Sequence, residues 1–219
     1  MANPQSGDWE QFWKTTNHYT APKISWSKKR VLDVIKPYVV AGKNALDAGC
    51  GSGFFAKHFY DAAMATTALD YSPKALEITR QLTGGRVKII QEDLLKPHLS
   101  SRISERFDLI FSDGLFEHFL PGEQDVIMKN FISLLNPNGV VVTFVPNRFS
   151  PWEIIRPFFM PGIDETPFVP RGLASLNERN GLKILGSGGV NVLPFFVSPE
   201  KFLGKYFGML LYTISCRNV

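Results

Sequence analysis

Three glycines alternate in the stretch "LDAGCGSGFF", residues 46–55, directly after a short apolar run that holds Asp47. Glycine adopts backbone dihedrals that other residues avoid, and its missing Cβ lets a ligand approach the main chain closely. Three such positions in alternation favour a ligand-binding turn over a plain connection between a strand and a helix. The candidate binding residues of this turn are Asp47, Gly49, Cys50, Gly51 and Gly53, with Cys50 expected to be a small packing residue.

The spacing of these glycines argues against the common nucleotide-binding motifs. A dinucleotide fingerprint, G-x-G-x-x-G, needs a glycine three residues after its second glycine, but Phe54 stands three residues after Gly51. The sequence also contains no G-x-x-x-x-G-K-[ST] segment, which argues against a nucleoside triphosphate site of that type. The turn is therefore expected to serve another polar ligand.

More polar side chains stand where the next two apolar runs end. Asp70 closes the second run, and a carboxylate at such a strand end can accept two hydroxyl hydrogen bonds from a ribose. Glu92, Asp93 and Leu94 follow the third run. Either of these two acids can face a ligand there, or both can be solvated.

The segment "SDGLFEHFLPG", residues 112–122, adds an acid–base candidate after the fourth apolar run. His118 is the candidate general base because imidazole titrates near neutrality. Its alternative role is structural, as a side chain that only forms a hydrogen bond with the backbone. Asp113 and Glu117 can hold a cationic or hydroxylated acceptor, or cap the short helix there.

The histidines show no spacing that is typical of a metal site. The four of them are His18, His58, His98 and His118. We therefore expect no bound metal.

The elements that must position these residues alternate between strand and helix. This pattern predicts a doubly wound, mostly parallel sheet with helices on both faces, in which ligands bind at the carboxyl edge. The predicted strands are 45–48, 65–69, 87–91, 107–112, 140–145, 182–185 and 209–216, and the predicted helices are 28–39, 54–61, 72–83, 122–135 and 171–180. A turn is expected at residues 136–139.

Aromatic and proline-rich segments flank this alternating core. Residues 1–43 hold three of the four tryptophans, and residues 146–170 hold five prolines after Pro146, which argues against a long regular element there. We expect a single domain, residues 1–219, in which 1–43 is a lid, 44–147 binds the cofactor, 146–170 caps the substrate and 171–219 adds a helix and strands. The candidate substrate residues are Trp13, Tyr19, Asp113, Glu117, Arg148 and Trp152.

Three arginines in or next to the cap segment indicate which kind of substrate could bind there. An apolar pocket with Arg148, Arg156 or Arg171 at its mouth would suit a small aromatic or lipid-like acid. The formal charge of +4 is spread as +4, −3 and +3 over residues 1–43, 44–147 and 148–219. This distribution is either ordinary solvated surface or a basic rim that attracts an anion.

Composition narrows the remaining classes. The hydrophobic content of 44% suits a globular protein, and the apolar runs are far shorter than a membrane span. The first residues lack the features of a signal peptide, and two distant cysteines form no disulfide framework, so we expect a cytoplasmic protein. The sequence contains no dense run of Lys and Arg residues, which argues against a nucleic-acid-binding protein. The oligomeric state is left open.

Residues 44–147 resemble the class I S-adenosylmethionine-dependent methyltransferases. Four segments match in order and spacing: the D-x-G-x-G-x-G turn, "ALDYSPKAL", "IIQEDLLKP" and "FDLIFSDGLFEHF", and "LLNPNGVVVTFVPN" matches the next strand. The resemblance is greatest to the broad group that includes the ubiquinone and menaquinone biosynthesis methyltransferases. It implies a Rossmann-like sheet of seven strands with an antiparallel C-terminal strand.

The resemblance also implies a role for each cofactor residue. Asp70 would bind the ribose, Tyr71 would pack on the adenine, and Asp93 with the backbone of Leu94 would read the adenine edge. Asp47 would lie near the amino group of S-adenosyl-L-methionine, and Ser112 near its methionine part.

The expected activity is methyl transfer to a small-molecule acceptor with an apolar or aromatic body. An acceptor that also carries a negative charge fits this expectation. The alternatives are an RNA or protein methyltransferase, and a non-catalytic module that binds the cofactor. The sequence "SDGL" stands where methyltransferases of exocyclic amino groups carry N-P-P-[YF], which argues against that class. An aminopropyltransferase, which uses the same fold with a decarboxylated cofactor, is a further alternative, but that family needs more active-site acids than this sequence offers.

Overall fold

The computed structural model describes residues 6–15, 25–159, 165–193 and 197–218. These residues contain a seven-stranded sheet in the order β3-β2-β1-β4-β5-β7-β6. The strands are β1 (Asn44–Ala48), β2 (Ala65–Asp70), β3 (Lys88–Gln91), β4 (Phe107–Asp113), β5 (Leu135–Pro146), β6 (Leu182–Val190) and β7 (Leu210–Arg217). The helices are α1 (Ser6–Thr15), α2 (Trp26–Ile35), α3 (Phe54–Asp61), α4 (Pro73–Leu82), α5 (Pro121–Leu134), α6 (Trp152–Phe159), α7 (Pro170–Arg179) and α8 (Glu200–Phe207).

The sheet has the predicted mixed topology. Strands β1 to β5 pair in parallel, whereas β7 is antiparallel to both β5 and β6. The chain moves outward from β1 to β2 and β3, then returns to the other side of β1 to form β4. This reversal makes the carboxyl ends of β1 and β4 the switch point, where doubly wound sheets bind ligands.

Two apolar clusters hold the helices against opposite faces of the sheet. One cluster joins α5 and α7 to the sheet and includes the fully buried rings of Phe116 and Phe131. The other joins α2 and α3 through residues such as Val31 and Phe59. The predicted Rossmann-like fold, with helices on both faces, is confirmed.

Several element boundaries differ from the sequence-based expectation. α2 ends at Ile35 and continues as a 3-10 turn, because Pro37 cannot donate the backbone hydrogen bond of a longer helix. β5 begins at Leu135, so the expected turn at 136–139 lies inside the strand, with a register irregularity opposite Phe107 and Leu109. β6 extends to Val190 instead of ending at residue 185, because β7 supplies a partner along its whole length.

Helix α8 was not predicted, and its contact with β6 depends on two glycines. A Cβ built on Gly204 would stand 2.0 Å from the carbonyl oxygen of Gly189, and one on Gly189 would stand 2.1 Å from the oxygen of Gly204. The backbones of the helix and the strand therefore touch directly.

Among the described residues, no helix combines the length and the apolar character that crossing a bilayer requires.

Candidate active site

The glycine turn after β1 has the conformation that the sequence predicted. Gly49, Gly51 and Gly53 have φ values of +71°, +50° and +77°, which L-residues with a side chain rarely adopt. A Cβ on Gly53 would stand 2.6 Å from the side chain of Thr79, so α4 also requires glycine at this position. Cys50 is buried beside Thr79, with 3.7 Å between Sγ and Oγ1, and burial raises the pKa of its thiol.

Asp70 ties the end of β2 to this turn. Its Oδ2 accepts a hydrogen bond of 3.0 Å from the Gly51 N–H, and its Oδ1 accepts one of 2.9 Å from the Ser72 N–H. Burial raises the pKa of Asp70, while these backbone donors oppose the shift. These two hydrogen bonds fix the carboxyl group at the edge of the turn.

Asp47 is buried at the carboxyl end of β1. Burial raises its pKa to about 7, the Ala56 N–H opposes the shift with a hydrogen bond of 2.8 Å, and Asp113 and Asp70 add to it by repulsion. Among the described residues its hydrogen-bond donor is a backbone N–H, so the chemistry of this buried carboxyl group suits a cationic ligand group.

The two acids that follow β3, Glu92 and Asp93, differ in their hydrogen-bond partners. Both carboxylate oxygens of Glu92 are engaged, one by Lys96 and one by Arg102. Asp93 instead accepts from the Leu95 N–H at 2.9 Å, and Leu94 is buried in the core. Asp93 is therefore the acid without a basic side-chain partner at this edge among the described residues.

Helix α1 lies across the glycine turn. A Cβ on Gly51 would stand 2.8 Å from the indole of Trp13, and Oε2 of Glu10 accepts a hydrogen bond of 2.6 Å from the Ser72 hydroxyl. The ring of Trp9 meets that of His118 edge to face, with 4.9 Å between centroids. Sequence reasoning placed aromatic residues here as a lid but found neither Trp9 nor Glu10 as a contact.

At the carboxyl end of β4, Asp113 interacts electrostatically with Lys28, which the sequence did not identify. Burial raises the pKa of Asp113 to about 6, and Lys28 opposes the shift. The Lys28 ammonium lies 3.9 Å from the centroid of the Phe54 ring, and burial lowers its pKa. Ser112 is fully buried and donates to Thr143 at 3.4 Å, so its side chain supports the strand end.

Beyond β4, five side chains form an acidic cluster: Glu117, His118, Glu153, Arg156 and Glu165. Nε2 of His118 is 3.9 Å from Oε1 of Glu117. Arg156 Nε lies 3.4 Å from Glu153 and 3.3 Å from Glu165. Burial raises the pKa of Glu117 well above its usual range, and Glu165, Asp113 and Glu153 add to the shift by repulsion.

Sequence reasoning missed two residues of this cluster. One is Glu153, beside Trp152 in α6, and the other is Glu165. It lies in "PGIDETP", where an acidic pair inside an apolar, proline-rich segment was the available signal. Its position follows from a backbone hydrogen bond of 2.8 Å from the Thr166 N–H to the Glu117 carbonyl. This bond holds the cap segment against the 3-10 turn that contains Glu117 and His118.

The other predicted substrate residues are spread around this edge. Trp152 begins α6 and is half-buried, whereas Arg148 is exposed at the end of β5. Arg171 is exposed on α7 and lines a separate cavity, while Arg156 is already paired with two carboxylates. Tyr19 lies outside the described residues.

A surface cavity of about 570 Å³ lies elsewhere, between α2, β6 and α8. Arg30, Glu200, Lys205 and Tyr212 are among its lining residues, and none of the predicted site residues lines it. Arg30 and Glu200 pair across it at 2.8 Å. The chemistry-bearing residues therefore gather at the sheet edge and not in this cavity.

Comparison with known proteins agrees with the geometry of the sheet edge. Residues 45–139 match the family described as "Methyltransferase domain". These residues form a methyltransferase domain. The resemblance to the S-adenosylmethionine-dependent methyltransferases is thereby confirmed, and S-adenosylmethionine is the cofactor of that family.

Relatives of this methyltransferase domain share moderate identity with it. A probable S-adenosylmethionine-dependent methyltransferase of Mycolicibacterium smegmatis is 28% identical over 178 residues, which cover 81% of this chain and 61% of that protein. The ubiquinone biosynthesis O-methyltransferase of Haemophilus ducreyi is 32% identical over 113 residues, 49% of this chain and 47% of that protein. The chain thus spans about half to three-fifths of the length of these curated relatives.

A solved structure shares the fold over nearly the whole chain. Magnesium protoporphyrin IX methyltransferase of Synechocystis PCC 6803, with bound S-adenosylhomocysteine, superposes with a TM-score of 0.64 at 14% identity. The superposition covers 99% of this chain and 95% of that one.

Proposed function

We propose that this chain transfers the methyl group of S-adenosylmethionine to a small-molecule acceptor with an apolar or aromatic body. The acceptor would bind beyond the carboxyl end of β4, between α1 and the cap segment. The observation that carries the proposal is that the glycine turn and the acidic cluster are neighbours. A Cβ on Gly49 would stand 3.0 Å from the side chain of Leu115, which precedes Glu117 by two residues.

The cofactor residues fit S-adenosylmethionine in their chemistry. Asp70 offers carboxylate oxygens for ribose hydroxyls, and Asp47 offers a buried carboxyl for the amino group. Bound S-adenosylmethionine supplies an activated methyl group on a sulfonium. The chain has to align the acceptor with that methyl group and exclude water from it.

His118 is proposed as the general base for an acceptor that loses a proton. Its side chain is 6% exposed and lies between Trp9 and Glu117. A base removes the proton as the methyl arrives, and the neighbouring carboxyl stabilises the imidazolium that forms. A purely structural role for His118 would leave the rate and its pH profile unchanged.

An anionic acceptor receives less support than the sequence suggested. Of the three arginines proposed for the pocket mouth, Arg156 is the one in the acidic cluster, and it already faces Glu153 and Glu165. No described feature specifically favours an RNA or protein substrate.

The proposal is tested by two measurements on the purified chain. Calorimetry should detect S-adenosylhomocysteine binding, and a screen over phenols, quinols, amines, thiols and tRNA should yield S-adenosylhomocysteine with at least one small molecule. Binding of NADH instead of S-adenosylhomocysteine would overturn the proposal, and turnover with tRNA alone would overturn its acceptor class.

A further inference from the structure

We infer that the acidic cluster receives the positively charged nitrogen of the methyl acceptor, so that the acceptor is an amine that binds as an ammonium ion. This inference rests on the proposed function and specifies its acceptor class. It places the ammonium between Glu117 and Glu165, within reach of His118.

The charge of the cluster is the first support. Among the described residues, three carboxyl groups, those of Glu117, Glu153 and Glu165, gather with one guanidinium, that of Arg156, which pairs with Glu153 and Glu165. Ionised, they leave two negative charges uncompensated in a buried site. Burying an uncompensated charge is unfavourable, so these carboxyl groups favour the protonated form on their own, and a cationic ligand would stabilise the ionised form.

Unsatisfied oxygen atoms are the second support. Oε2 of Glu117 and Oε1 of Glu153 are buried, and neither has a hydrogen-bond donor among the described residues. Oε2 of Glu165 is also buried without a hydrogen bond, although the Arg156 guanidinium lies 3.3 Å from it as an ion pair. The side chains of Glu117 and Glu165 are 2% and 6% exposed. Carboxylate oxygens only accept hydrogen bonds, and an ammonium group offers three donors and no acceptor, so the two are complementary.

The position of the cluster suits a reacting nitrogen. Glu117 and His118 lie in the 3-10 turn that begins three residues after Asp113, the last residue of β4, so the cluster lies close to the strand end where the methionine part of the cofactor is expected. During methyl transfer the positive charge moves from sulfur to nitrogen. Fixed carboxylates beside the nitrogen stabilise that charge as it develops.

The proton and electron balance of the step uses His118. Its neutral imidazole takes one proton from the ammonium, which leaves a neutral amine with a lone pair. The nitrogen then forms a bond to the methyl carbon while the carbon–sulfur bond breaks and its electron pair stays on sulfur. The products are a methylated ammonium, a thioether and an imidazolium that returns its proton to water.

A divalent metal ion is the competing occupant. One ligand atom from each of Glu117, His118 and Glu165 lies within 4.8 Å of the others. A metal bound to Glu165 at about 2.0–2.2 Å would stand beside the guanidinium of Arg156, which lies 3.3 Å from the same carboxylate. An ammonium group lies farther from its carboxylates than a metal ion does and carries one charge instead of two. The Arg156 guanidinium therefore repels an ammonium less than it repels a divalent metal ion.

The test compares probes of one shape and different charge with S-adenosylhomocysteine bound. Primary arylalkylammonium ions of increasing chain length, beginning with 2-phenylethylammonium, are titrated beside the matching alcohols and carboxylates. At least one ammonium should bind about tenfold or more tightly than its alcohol. With S-adenosylmethionine, mass spectrometry should find the N-methylated amine.

Matched variants assign the preference to the cluster. Glu117→Gln and Glu165→Gln keep the shape and remove the charge, so each should weaken ammonium binding about 10- to 100-fold while S-adenosylhomocysteine binding stays unchanged. Glu178→Gln, at an exposed glutamate of α7, should change neither.

The outcomes separate the two proposals. Normal S-adenosylhomocysteine binding without any ammonium preference over alcohols overturns the amine inference and leaves methyl transfer standing. Mn²⁺ binding that Glu117→Gln abolishes, with phenol turnover that depends on the metal, would identify a metal site instead. Failure to bind S-adenosylhomocysteine at all would overturn the proposed function itself.

Discussion

Oδ2 of Asp70 accepts a hydrogen bond from the Gly51 N–H at 3.0 Å, which joins the end of β2 to the glycine turn. Asp70→Ala should weaken S-adenosylhomocysteine binding by about 1–3 kcal/mol, through loss of ribose hydrogen bonds and of this support. Calorimetry of the variant is compared with Asp61→Ala, an exposed acid at the end of α3. Equal affinity in the Asp70 and Asp61 variants would contradict the ribose assignment.

The contact between Trp13 and Gly51 makes α1 the proposed lid. Deletion of residues 1–20, or Trp13→Ala alone, should reduce turnover much more than cofactor affinity, because a lid excludes water and holds the acceptor in line. Trp26→Ala, which removes a 43% exposed indole from α2, serves as the control. Equal turnover of the truncated and full chains would show that α1 is no lid.

Asp47 should make the folded state less stable as pH rises. Its pKa is about 7 when folded and near 4 when unfolded, so the folded state holds the extra proton between these values. Stability from this group is present below pH 4, is lost between pH 4 and 7, and stays low above pH 7.

Asp47→Asn removes this dependence. The unfolding free energy of the variant minus that of the parent should increase by about 2–4 kcal/mol from pH 4 to pH 8, because only the parent loses stability over this range. Urea unfolding at both values measures the change, and Asp61→Asn, at an exposed position, should show almost none. A variant that keeps the parent's pH slope would mean that Asp47 is ionised in the folded protein.

His118→Ala should lower the methyl-transfer rate about 10²- to 10⁴-fold if the imidazole is the base, with little change in cofactor binding. Higher pH should partly restore the rate, since the acceptor then loses its proton in solution. Single-turnover rates from mildly acidic to alkaline pH measure this. An unchanged rate and profile would leave His118 as a structural residue beside Trp9.

Two glycines in helices should respond oppositely to the same substitution. Gly204→Ala forces a Cβ to within 2.0 Å of the Gly189 oxygen, and displacing α8 should cost about 1–3 kcal/mol of stability. Gly122→Ala, in α5, meets nothing within 4 Å and should be neutral or stabilise by up to about 1 kcal/mol. Thermal unfolding compares them, and a Gly204 variant as stable as the Gly122 variant would mean that the helix contact is loose.

The glycine turn and the strand end beside it were predictable from the sequence because that information is local. Gly49, Gly51 and Gly53 signal their positive φ by residue type alone, and all three have it. Asp70 was placed by its position at a strand end, since parallel strands bring their carboxyl ends to one edge. The alternation of strands and helices then fixed the sheet class, and one antiparallel strand, β7, was expected and found.

The acidic cluster, where we propose that the acceptor binds, was decided by tertiary structure. Glu165 lies far from Glu117 in sequence, and only the packing of the cap segment against the turn after β4 brings their carboxyl groups together. Lys28 likewise influences Asp113 only because α2 packs beside α3, where the Lys28 ammonium lies over the Phe54 ring. Sequence periodicity reports which face of an element is buried, whereas the charge of a site depends on which distant side chains share it, and the folded chain alone determines that.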